Sequence, residues 1–145
     1  MISQTAEYAL RAMVYLALRQ GACTGQEIAD HTKVPAGYLK KIMHQLGRAK
    51  LVDSQRGVGG GFVLAREPRA ISILDVVNAV DPIERLTSCP LEIGNHGINL
   101  CPLHQRLSAA TAAVEAAFAE SNLSELVEES QSPLCQSKPL TSNKP

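Results

Sequence analysis

A mainly α fold with a small β-wing is predicted by three features of the chain. A capped short helix leads through a tight turn into a second helix whose outer face is polar and basic. A glycine-rich run then separates two short apolar segments, and a later alanine-rich stretch keeps helical periodicity over five turns or so. Together they predict a winged helix-turn-helix over residues 1–82, followed by a long C-terminal dimerisation helix.

The first helix is expected over residues 3–20. Ala6, Leu10, Met13, Val14 and Ala17 recur at the spacing of one helix face, and Gly21 ends the run. Thr24 announces a short second helix, because its hydroxyl can accept a first-turn amide while Glu27, three residues on, reaches back in a capping box. That helix ends near His31. After a turn at residues 32–34, Pro35 suits the first turn of a third helix, where a missing amide hydrogen costs nothing. Leu39, Ile42, Met43 and Leu46 form its inner stripe. Tyr38, Lys40, Lys41, His44, Gln45 and Arg48 are left outside, and they are donors and cations of the kind that meet phosphates and base edges. His44 and Gln45 are the base-edge candidates; Tyr38, Lys40 and Lys41 are the phosphate candidates.

Residues 51–54 and 62–65 read as two strands joined by a wing. Its tip holds four glycines within residues 57–61, among them Gly59 and Gly60, which permit positive backbone angles and close approach to another molecule. Arg56 stands where it can enter a minor groove. Ser72 caps a further helix with Ile73, Val76, Val77 and Val80 toward the core, stopped by Pro82. Residues 83–99 lack a clean period and read as an exposed loop. Leu103, Leu107, Ala110, Val114, Ala117 and Ser121 then mark a helix over residues 100–119, whose apolar stripe needs a partner, most simply the same helix of a second subunit. Residues 123–129 add a further turn or two. Residues 130–145, rich in Ser, Pro, Gln and Lys, are expected to be a disordered tail.

A formal net charge of zero hides an asymmetry: residues 1–69 carry ten Lys and Arg against five Asp and Glu, and residues 70–145 carry four against nine. The basic front half is an electrostatic footprint for nucleic acid. No stretch reads as a leader or membrane span, so a cytoplasmic location is expected, where thiols stay reduced unless they do chemistry or bind metal. The cysteines, Cys23, Cys89, Cys101 and Cys135, form no regular disulfide framework. Cys23 and Cys135 are read as structural or incidental. Enzymatic function is not expected, because no Lys-Ser or Lys-Thr follows the wing glycines as phosphate binding requires, and no nucleophile can be paired with a base.

Chemistry concentrates between Cys89 and His104, where two thiols (Cys89, Cys101) and two imidazoles (His96, His104) lie within sixteen residues. All four are soft or borderline metal ligands. Cys101 and His104, three apart at a helix start, can reach one metal. Zinc bound by the four, a dithiol switch between the cysteines, and plain packing of the thiols are the competing readings.

The wing and the helix after it, Arg56-Gly57-Val58-Gly59-Gly60-Gly61-Phe62-Val63-Leu64-Ala65-Arg66 with residues 71–80, resemble the Rrf2 family of bacterial transcription regulators. The opening residues 3–11, the turn Val34-Pro35-Ala36-Gly37-Tyr38-Leu39-Lys40-Lys41 and the cysteine loop match as well, so the likeness covers about residues 1–120. The resemblance implies a homodimer on a double-stranded operator, with recognition helices about 34 Å apart in successive major grooves. It also implies an iron-sulfur cluster whose state, through redox change, loss or nitric oxide, governs DNA binding.

The family loop usually brings three cysteines, followed in some members by a histidine. Cys89 and Cys101 match the outer cysteines and His104 the histidine, while Asn95 stands where the middle cysteine belongs. His96 is adjacent to that place, Glu7 matches a helix-one position that supplies an acidic ligand across the dimer in some members, and His31 lies near a histidine ligand of a two-cysteine branch. Such a mixed shell suits a two-iron two-sulfur cluster, as in Rieske-type sites. Two rival functions stand beside this one: a cluster-free regulator responding through thiols, zinc or a small molecule, and a winged-helix module that binds protein.

Overall fold

The computed structural model describes residues 2–89 and 100–130. Asn95, His96, Cys135 and the expected tail beyond Ser130 lie outside the described residues.

Helix α1 spans Gln4–Arg19 and opens on Ser3, whose hydroxyl accepts the Ala6 amide at 3.1 Å. Its end falls at Gln20, which takes the left-handed conformation itself (φ 53°) one residue before the expected glycine. The buried face is Ala6, Ala9, Ala12, Met13, Leu16 and Ala17, so Leu10 and Val14, expected inside, are only half-buried on a neighbouring stripe. The reason is crowding: α1 is the hub, contacting α2, α3, α4 and α6, and alanine lets those elements come close.

Helix α2 (Gly25–Thr32) carries the expected capping box. The Thr24 amide donates to Glu27 at 2.7 Å, and that bond, with the Thr24 hydroxyl second, holds the Glu27 carboxyl below its ordinary pKa. Helix α3 (Ala36–Arg48) has Pro35 as its N-cap, one place earlier than expected, and buries the four predicted residues Leu39, Ile42, Met43 and Leu46. Strands β1 (Val52–Gln55) and β2 (Gly61–Leu64) pair antiparallel with Gln55 opposite Gly61. A third short partner closes the wing root: Cys23 and Phe62 exchange backbone hydrogen bonds of 3.0 and 2.7 Å. Cys23 is 1% exposed, which gives this thiol the structural role.

After a 3-10 turn at Pro68–Ala70, helix α4 (Ile73–Val80) starts on a second capping box formed by Ser72 and Asp75. Helix α5 (Pro102–Glu120) follows, and none of its residues is fully buried. Thr111, Val114 and Phe118 set its inner side beside Val77 and Ile83; Phe118, absent from the expected stripe, packs on the core.

Helix α6 (Leu123–Ser130) is more than an added turn. The Ile73 amide donates to Ser121 and the Leu123 amide to Ile71, both at 3.0 Å, folding the chain back so that Leu123 is fully buried and Leu126 and Val127 pack on the same core. The segment expected to serve dimerisation thus contributes to the winged domain itself. Leu123→Ala is expected to cost about 2–5 kcal/mol through lost contacts and a cavity. Val58→Ala, at a fully exposed position, is expected to stay within about 0.5 kcal/mol. Urea midpoints at constant m-value check both.

Candidate nucleic-acid interface and thiol-imidazole site

The third helix and the wing present the expected cations outward. Tyr38, Lys40, Lys41, His44 and Arg48 of α3 are exposed, as are Arg56, Gly57 and Gly59 of the wing. Gln45 departs from this face. It is half-buried, its amide nitrogen reaches the Val80 carbonyl at 3.5 Å, and its Oε1 is buried with no hydrogen-bond partner. Its rotamer turns toward α4, away from the side on which it was expected to read base edges beside His44. Gly60 is required by the turn itself, since a Cβ there would lie 2.4 Å from the Gln55 carbonyl, whereas Gly59 (φ 74°) faces open space. Lys33, at the left-handed end of α2 (φ 58°), is a further exposed cation that periodicity did not single out.

The thiols and one imidazole meet at the start of α5. Cys101 is the N-cap and His104 the third helical residue, the same i to i+3 relation that brings Ser72 to Asp75. Cys101 Sγ lies 3.0 Å from His104 Nδ1, and Cys89 Sγ lies 3.7 Å from the same nitrogen. Cys89 is delivered there by the segment after α4. Asn78 Oδ1 accepts the Ile83 amide at 3.1 Å, and Arg85 pairs with Glu115 on α5. From Glu115 back to His104 the helix covers about 16 Å, close to the roughly 14 Å that four extended residues span. Cys89, four residues past Arg85, is therefore brought to the right end of the helix.

Both thiols and the imidazole are partly exposed and free of disulfides. A tetrahedral metal with ordinary sulfur and nitrogen bond lengths sets these atoms about 3.6 Å apart. The Cys89 separation meets that value, and the Cys101 separation is that of a thiol-imidazole hydrogen bond, which would open on metal binding. Among the described residues no group of three or more such side chains forms a ready-made metal site. The donor chemistry, two sulfurs and one nitrogen, fits a mixed-ligand iron-sulfur site that takes its remaining ligand from elsewhere.

Glu7 and His31 do not join that cluster by any hydrogen bond or ion pair among the described residues. Glu7 pairs with Arg11 one turn on at 2.5 Å. His31 stacks on Tyr15 with ring centroids 5.0 Å apart, and burial raises the Tyr15 pKa. Both border one shallow hollow with Leu10, Val14 and Leu18 on the outer side of α1.

A basic helix-turn-helix face with a glycine wing defines a DNA-binding regulator of the winged-helix class. The sequence profile of the Rrf2 family, described as iron-dependent transcriptional regulators, matches residues 2–129, and the chain belongs to that family. A helix-turn-helix transcriptional regulator of Aquifex aeolicus is 32% identical over 129 residues, covering 86% of this chain and 90% of that protein. Among solved structures, CymR, the global cysteine regulator of B. subtilis, superposes with a TM-score of 0.74 at 27% identity, covering 89% of this chain and 97% of that one. IscR of T. potens shares the fold, with a TM-score of 0.77 at 22% identity over 96% of this chain and 93% of that one. The chain is therefore a DNA-binding transcription regulator and not an enzyme. No helix among the described residues is long and apolar enough to cross a membrane.

Proposed function

We propose that the protein is a homodimeric regulator on near-palindromic duplex DNA, in which Cys89, Cys101 and His104 hold an iron-sulfur cluster of the two-iron two-sulfur type. The single observation that carries this reading is the convergence of both thiols on His104 Nδ1, at 3.7 and 3.0 Å. Two thiolates and an imidazole leave one ligand to find, and the partner subunit's Glu7 is the candidate, with His31 of α2, which borders the same hollow, as the alternative donor. His96 is the further local candidate.

The dimer is supported by α5, a 19-residue helix with no buried residue, on which Leu103 and Leu107 are 62% and 47% exposed. When bound, the cluster would supply one-electron chemistry and iron reactive toward nitric oxide. The chain's own residues do the rest. Arg85 and Glu115 hold the Cys89 segment against α5, His104 orients both sulfurs, and α3 with the wing offers Lys40, Lys41, Arg48 and Arg56 to phosphates and grooves.

Anaerobic purification from iron-replete cells, with iron and acid-labile sulfide assays and an absorption spectrum, tests the reading. Iron and sulfide in equal amounts with visible charge-transfer bands are expected. A colourless, iron-free protein with both thiols titratable would instead favour the metal-free dithiol reading, which the shared imidazole also accommodates.

A further inference from the structure

We infer that Tyr8 and Arg11 of α1 are positioning residues for DNA recognition, forming a bracket that fixes the turn into α3 and the ring of Tyr38. Arg11 Nη1 donates to the Thr32 carbonyl at 3.4 Å, a terminal α2 carbonyl that lacks a partner within its own helix. A cation at that end also complements the helix dipole. The guanidinium carbon lies 5.5 Å from the Tyr8 ring centroid, within reach of a cation-π contact. The Tyr8 ring in turn meets Tyr38 edge-on, with centroids 6.2 Å apart at 68°.

The contacts thus run from α1 to two parts of the reading head, the α2–α3 turn and the first turn of α3. The α2–α3 turn contains Lys33 at φ 58°, and the first turn of α3 starts at Pro35 with no side-chain cap. Tyr38 is 56% exposed, so without Tyr8 its ring has several rotamers open to it. Holding that ring before DNA arrives removes an ordering cost from binding. The effect falls on the operator complex, where Tyr38 has a defined place, and not on loose electrostatic attachment to any duplex.

The inference rests on α3 being the DNA-reading helix, so its test includes Lys40→Ala, which checks that reading separately. Duplexes selected from a random pool by the wild-type full-length chain supply the operator, and an unselected duplex supplies the non-specific reference. Titration by fluorescence anisotropy is expected to show that Tyr8→Leu loses roughly five- to tenfold on the selected duplex and under twofold on the unselected one. Tyr8→Phe, which keeps the ring, is expected within about twofold of wild type on both. In a Tyr38→Ala background, Tyr8→Leu is expected to add nothing. Arg11→Gln, at an exposed position, is expected to lose about threefold on the selected duplex, with an unchanged melting midpoint showing that the fold is intact.

Equal losses on both duplexes, additive losses in the double variant, or wild-type binding by both Tyr8→Leu and Arg11→Gln would overturn the inference. Wild-type binding by Lys40→Ala on both duplexes would overturn the recognition-helix reading first, and this inference with it.

Discussion

Cys101→Ala is expected to yield an anaerobically purified protein with background iron and sulfide and no visible absorption, and Cys89→Ala the same. Each sulfur is one of three donors gathered in the chain, and a cluster left with one thiolate and one imidazole has too few strong ligands to survive purification. Folding is expected to be spared. Cys101 makes no capping hydrogen bond, and both thiols are partly exposed, so melting midpoints of the metal-free proteins should correspond to changes within about 0.5 kcal/mol. Glu7→Ala separates local from shared ligation, because it leaves all three local donors in place. A cluster that still assembles but bleaches faster in air is expected there. Full wild-type iron in Cys101→Ala would remove the site from α5.

The second large effect concerns DNA. Replacing Lys40, Lys41 and Arg56 together by alanine is expected to weaken binding at least a hundredfold or so at 0.1 M salt. Each lost phosphate contact removes about 0.9 from the slope of log affinity against log salt, close to tenfold in affinity at that concentration. The three side chains are exposed, so their removal should leave stability nearly unchanged. Titrations between 50 and 200 mM salt, which give the slope directly, provide the check. An unchanged slope and affinity would turn the wing and third helix into a protein-binding surface.

The reading head was legible because its determinants are local. Thr24 and Glu27, Ser72 and Asp75, and the four buried residues of α3 each stand at separations that a helix turns into contact. Where the sequence misled, the deciding contact lay far along the chain or the deciding property was size. Ala9 and Ala12 are buried instead of Leu10 because α1 is approached from several sides, and a hydrophobicity pattern ranks leucine above alanine without knowing how near the neighbours come. Leu123 is buried because Ser121 and Leu123 bridge to Ile71 and Ile73, some fifty residues away.

Gln45 shares the outer side of α3 by periodicity, yet one rotamer aims its amide at Val80, thirty-five positions on. The candidate site divides the same way. The Cys101 and His104 pairing follows from a three-residue spacing on one helix, whereas the approach of Cys89 depends on Arg85 meeting Glu115 across thirty residues.

Both ends of α5 are fastened, and differently. At its C-terminal end the backbone bonds of Ser121 and Leu123 tie it to the start of α4, while at its N-terminal end the Cys89 side chain comes to the helix's own Cys101 and His104. Nineteen residues make it a spar about 28 Å long. Because Thr111, Val114 and Phe118 also seat the helix beside Val77 and Ile83, the spar holds the thiol-imidazole cluster at a fixed distance from the start of α4.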